Sequence, residues 1–154
     1  MKIKSLPKLL LFIAICEGAG LIGSVFTFPA ISTWYKFLNK PSFSPPNFLF
    51  GPAWITLYFL MGISLYLIWR KKNKNALVFF WIHLFFNATW SVMFFGLRSP
   101  LLGLINILIL WVLIVVVIHK FWKINKTAGI LLLPYLAWVS FATYLNYSIW
   151  LLNR

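Results

Sequence analysis

The chain predicts an all-α integral membrane protein, a single bundle of five transmembrane helices. Three observations carry that prediction. Of its 154 residues, 62% are hydrophobic and 10% charged, whereas a soluble domain carries about 25% charged residues and has the polar surface to face water. Apolar runs near or above the length of a spanning helix recur five times, each able to cross a hydrocarbon core of about 30 Å at 1.5 Å per residue. The cations gather between and beyond those runs. The spans are expected at about residues 7–28, 51–69, 76–96, 100–118 and 127–152 of one domain covering 1–154, with a lid-like loop over 29–50.

The first span follows Lys2 and Lys4 and takes in Lys8 near its start, as a signal peptide would, but lacks a short apolar region ending in an A-x-A cleavage site, so it reads as a span. It holds Glu17, the chain's only acidic residue, and Cys16, its only cysteine. Cys16 has no partner for an intrachain disulfide and reads as a small buried hydrophobe. For Glu17 two readings stay open: a hydrogen-bonded packing residue, or a proton-relay or ligand group. Ala14–Gly18, Ala19–Gly23 and Gly20–Ser24 are small pairs four apart that allow close helix packing.

Between the first two spans lies KPSFSPPNFLFGP, residues 40–52, with four of the eight prolines. Proline fixes φ and removes donors, so this stretch cannot be one regular helix. Ser44-Pro45-Pro46 makes a stiff extended corner, and Pro52 suits the first turn of the next helix. Trp34, Tyr35, Phe37, Phe43, Phe48 and Phe50 make the loop apolar enough to lie over the bundle mouth as a lid; the alternative is a plain interfacial connector.

The second span presents Trp54, Tyr58 and Met61. In the third, His83, Asn87, Trp90 and Phe94 follow i, i+4, i+7, i+11 and share one helical face. In the fifth, Trp138, Ala142, Leu145 and Ile149 share a face, with Tyr135 and Asn146 beside it; a small residue between tryptophan and leucine leaves a notch for a flat ring. Each stripe alone is ordinary packing or interhelical hydrogen bonding. Three stripes with polar tips, facing one another, make an apolar cavity with a few oriented donors, the usual form of a small-molecule site.

The net charge of +13 reads as topology. Counted over alternate segments, ten cations fall on one side and four on the other, which puts the N-terminus in the cytoplasm and the C-terminus outside, in a bacterial cell membrane. Small basic clusters beside spans favour anionic lipid, not nucleic acid. One carboxylate cannot supply paired acid–base chemistry, and no phosphate loop, nucleophile elbow or metal-ligand spacing is present. No cofactor and no metal are expected.

The runs W-Y-x-x-L-x-K-P-x-F-x-P-P and G-P-x-W-x-x-L-Y-x-x-M-G between residues 34 and 62, N-x-x-W-S-x-x-F-F-G from Asn87 to Gly96, and P-Y-L-x-W-V-x-F-A-x-x-L-N from Pro134 to Asn146 resemble the translocator protein/tryptophan-rich sensory protein family. The resemblance implies a five-helix membrane protein, commonly a homodimer, with its pocket under the first loop. It implies porphyrin or haem-related tetrapyrrole ligands, sterols in animal members, and synthetic isoquinoline carboxamide and benzodiazepine ligands. By the same resemblance the ligand-binding residues are Tyr35, Pro45, Trp54, Tyr58, Asn87, Trp90, Trp138, Ala142 and Leu145. Some bacterial members degrade protoporphyrin in light, and the tryptophans implicated fall on Trp54 and Trp138. Two functions therefore stand beside each other: binding for sensing, regulation or transport, and light-dependent oxidative degradation. A secondary transporter is the weaker reading, since no inverted repeat is visible. The chain departs from animal members in two places. Six residues separate Tyr147 from Arg154, where the sterol-recognition pattern allows five; and Leu102 and Asn106 stand where animal members carry tryptophan and aspartate.

Overall fold

A computed structural model describes residues 5–154; Lys2 and Lys4, used in the charge count, lie outside the described residues. The described chain is helical, with five helices long and apolar enough to cross a membrane. They are α1 (Leu6–Thr33), α2 (Phe50–Trp69), α3 (Lys74–Ser91, continued by a wider π turn at Val92–Gly96), α4 (Pro100–Ile124), and a fifth span split into α5 (Lys126–Ile130) and α6 (Leu133–Leu152).

Local sequence sets each end. Asn73, Ser99 and Asn125 cap α3, α4 and α5 by accepting from Ala76 N (3.0 Å), Leu102 N (3.2 Å) and Ala128 N (3.3 Å), which satisfies donors that lipid could not. Lys72 and Arg98 take φ of 54° and 51° in the short turns after α2 and α3, the left-handed geometry that stops a helix and reverses the chain. Pro134 sits in the first turn of α6 and marks the break in the fifth span. Helix α1 runs on beyond Phe28, through Pro29, to Thr33, whose hydroxyl donates back to the Pro29 carbonyl at 2.7 Å. Helix α4 likewise continues past Ile118 to Ile124. The connection that remains is a strap over 34–49 with single 3-10 turns at Tyr35–Phe37 and Asn47–Leu49.

The helices form a ring. Helix α1 lies between α2 and α3, α3 packs on α4, α4 on α6, and the short α5 meets α2. Helices α1 and α2 touch at Gly62, where a Cβ would stand 2.5 Å from the Ile13 Cα; only hydrogen fits at that contact. The ring is filled by Tyr66, Tyr135, Phe80, Phe121, Met61 and Leu65, all fully buried. Phe80 stacks on Phe121 at 5.8 Å. Ser64 donates to the Ala128 carbonyl at 2.7 Å, tying α2 to α5. A second, smaller cluster under the strap holds Tyr35, Phe94, Phe95, Leu145 and Ile149.

Candidate functional site

The apolar faces of α2, α3 and α6 turn inward because the bundle has no other place for aromatic rings with polar tips that lipid would leave unpaired. Tyr58 donates its hydroxyl proton to Asn87 Oδ1 at 2.6 Å, and Asn87 Nδ2 donates to the Tyr135 hydroxyl at 2.8 Å. One turn on, Trp90 Nε1 donates to Asn146 Oδ1 at 3.2 Å, and Asn146 Nδ2 donates to the Pro100 carbonyl at 2.8 Å. These two relays lock α2, α3, α4 and α6 in register. Trp54 stacks on Tyr58 at 5.4 Å and meets Tyr135 edge-on at 6.2 Å.

Next to these rings is a cavity of about 170 Å³, walled by α1, α2, α3 and α4 and closed above by Asn47, Phe50 and Gly51. Trp54, Tyr58, Asn87 and Trp90 line it. Helix α1 supplies Gly20, Gly23, Ser24 and Thr27. A methyl group at Gly20 would run into the Tyr58 ring, and one at Gly23 would stand 2.9 Å from Ser91 Oγ, so glycine lets these walls approach.

A second space, a groove of about 710 Å³, lies on the outer side between α2 and α6; it is lined by Leu49, Pro52, Leu57, Leu60, Trp138 and Phe141 among others. Trp138 belongs to this groove. Its Nε1 is buried without a hydrogen-bond partner. The Phe50 ring, which lines the cavity, meets Trp138 of the groove edge-on at 6.0 Å.

Tyr35 is buried in the strap, against Phe94 and Phe95 at 6.2 and 5.5 Å, with the Lys40 ammonium 4.4 Å from its ring centre. Burial pushes the Tyr35 phenol above its ordinary value, and a hydrogen bond with Ser44 opposes the shift. Pro45 is half-buried in the strap and lines neither space. Ala142 and Leu145 are buried in the two core clusters and line neither space. Thus four of the nine expected residues share the cavity, and Trp54 and Trp138 face different spaces. His83 is buried, its Nδ1 donating to the Phe80 carbonyl at 2.7 Å and its Nε2 unpartnered.

Phe50 and the α1 wall were not foreseen as site residues. Gly20, Gly23 and Ser24 stood out in the sequence only as small packing residues, and nothing in their spacing says that they face Tyr58 and Ser91. Among the described residues no cluster of His, Cys, Asp or Glu could hold a metal. The cavity offers aromatic faces with a few hydroxyls among them, the usual make-up of a site for a flat apolar molecule.

Five spanning helices closed round an aromatic cavity define an integral membrane protein with an intramembrane chamber. The profile of the TspO/MBR family matches residues 12–151. The tryptophan-rich protein TspO of Chlorobaculum tepidum is 44% identical, across 97% of this chain and 98% of its own length. A protein of the same name from Archaeoglobus fulgidus is 44% identical, across 95% and 97%. The human translocator protein is 35% identical, across 84% and 80%. The chain belongs to the TspO/MBR family.

Proposed function

We propose that this membrane protein binds a porphyrin or related flat tetrapyrrole within the bundle, under the strap, and serves sensing, regulation or transport. The observation that carries the reading is the lining itself: Trp54, Tyr58, Trp90 and Asn87 converge on one cavity, and the indole N–H of Trp138 is buried nearby without an acceptor. A buried donor without a partner is costly, and a ligand nitrogen or carboxyl oxygen would satisfy it. Isoquinoline carboxamides, flat and apolar with one acceptor, fit the same description. Asn87 is already engaged at both ends, so its part is to hold Tyr58 and Tyr135 in place as walls.

The test is tryptophan fluorescence quenching by protoporphyrin in detergent, in the dark and then under light, with absorbance followed throughout. Saturable quenching with an unchanged porphyrin spectrum is expected. Loss of the porphyrin bands in light, abolished in Trp138→Phe, would make the protein a light-dependent enzyme instead. No saturable quenching would remove tetrapyrroles.

The end bearing Lys8, Arg70, Lys71, Lys72, Lys74, Lys120, Lys123 and Lys126 faces the cytoplasm, and the strap faces outward. The protein is a homodimer. The face with room for a second copy is the shallow groove between α1 and α3, where Gly18 has no atom against it and Trp81, Phe85 and Ala88 form the opposite wall.

A further inference from the structure

The two spaces beside Phe50 do not by themselves explain how a ligand arrives. The inner cavity, about 170 Å³, is smaller than the about 300–1,000 Å³ of sites for drug-sized ligands. The outer groove holds about 710 Å³, and apart from Thr56 and the Trp138 indole its walls are carbon, among them Leu49, Leu57, Leu60, Ala137 and Phe141. It lies between two membrane-spanning helices, α2 and α6. A molecule dissolved in the bilayer reaches it without crossing water or the strap.

Groove and cavity lie on different faces of α2, and near its first turn an aromatic pair links them. Phe50 lines the inner cavity and meets Trp138, which lines the groove, at 6.0 Å and 71°. Phe50 is the first residue of α2, directly after the 3-10 turn Asn47–Leu49. It also packs on the cluster of Tyr35, Phe94 and Phe95 under the strap. Its neighbour Gly51 has no atom within 4 Å of where a side chain would start, so the chain beside Phe50 has open space on that side. Turning the Phe50 ring about its side-chain bonds needs no backbone hydrogen bond to break. It would join the spaces and bring the unpartnered Trp138 N–H to their common wall.

We propose that Phe50 is a gate, and that the cleft between α2 and α6 is a lateral entrance by which a flat apolar ligand passes from the bilayer into the bundle. This rests on the reading of the interior as the ligand site. The strap then acts through Phe50, by packing on it, and the ligand does not pass through the strap itself. Phe50 sets access and is not a catalytic residue.

The experiment uses the full chain in lipid nanodiscs with protoporphyrin IX as probe and stopped-flow tryptophan quenching as readout. Ala137→Phe narrows the groove from its exposed side and touches no cavity residue; Phe50→Ala removes the gating ring. Ala137→Phe is expected to slow association and dissociation together by about tenfold at nearly unchanged affinity, as for a barrier that alters rates and not the bound state; Phe50→Ala, which also removes a cavity wall, is expected to quicken association. Wild-type rates in Ala137→Phe, with saturable quenching intact, would overturn the gate and leave the binding reading standing. A ligand-free readout covers the case in which wild-type protein shows no saturable quenching. In a Cys16→Ser background, Ser91→Cys places a thiol on the cavity wall for a membrane-soluble maleimide. Labelling slowed by Ala137→Phe and quickened by Phe50→Ala supports the gate whatever the natural ligand. Labelling indifferent to both overturns it.

Discussion

Asn87→Leu tests whether the buried amide is what holds the cavity walls. The substitution keeps the approximate volume and removes both hydrogen bonds, from Tyr58 at 2.6 Å and to Tyr135 at 2.8 Å. Between membrane helices such bonds average about 0.6 kcal/mol each. Tyr58 is buried, and its hydroxyl would keep a donor with no acceptor, which costs about 1–3 kcal/mol. The expected total is a loss of about 2 kcal/mol, most of it from the stranded hydroxyl. That origin makes a second expectation. Tyr58→Phe in the Asn87→Leu background removes the stranded donor, so the double variant should be more stable than Asn87→Leu alone by about 1 kcal/mol. The assay is reversible unfolding in mixed micelles for wild type, both single variants and the double. Costs that add within about 0.5 kcal/mol would refute the coupling and with it the view that the relay, and not generic packing, positions these rings.

Four further outcomes follow from particular contacts. Gly62→Ala puts a methyl group against the Ile13 backbone and should cost about 1–3 kcal/mol by forcing α1 off α2, read as a lower melting temperature in detergent. A Cβ at Gly18 would meet no atom of its own chain and would point into the open α1–α3 groove, so Gly18→Leu should leave the melting temperature near wild type and shift the mass in detergent toward the monomer; an unchanged mass would exclude that groove as the dimer face. Asn153 Oδ1 accepts from Asn39 N at 2.9 Å and its Nδ2 donates to the Asn39 carbonyl at 2.9 Å, so Asn153→Ala should release the strap and raise proteolysis between residues 36 and 46 several-fold, with α-helical circular dichroism unchanged. Tyr35 has a folded-state pKa raised above 10.0. The contribution from keeping its phenol neutral is therefore constant below about pH 10 and is lost as pH rises through the raised value. Strap protection from protease should fall in that alkaline range, and Tyr35→Phe should remove that share of the fall.

The sequence by itself determined the environment and the helix count, because a chain with 62% hydrophobic residues and 14 cations placed at segment ends has one low-energy arrangement in a bilayer. It also put His83, Asn87, Trp90 and Phe94 on one inward face, since the 3.6-residue period alone fixes that; the structure buries His83, Asn87 and Phe94 and turns Trp90 to the cavity. Helix ends were less legible. Pro29 lies inside α1 without ending it; membrane helices tolerate proline because neighbouring groups re-satisfy the freed backbone, and a local rule about proline cannot see that. Only the tertiary structure decided which aromatic residues meet. Trp54 and Trp138 look equivalent in their motifs, yet the ring order sets one on the cavity and the other on the outer groove. Gly20 and Gly23 became cavity wall only when α1 was laid against Tyr58 and Ser91. The physical reason is that periodicity assigns a residue to a face of its own helix, whereas the partner of that face is chosen by packing across the whole ring.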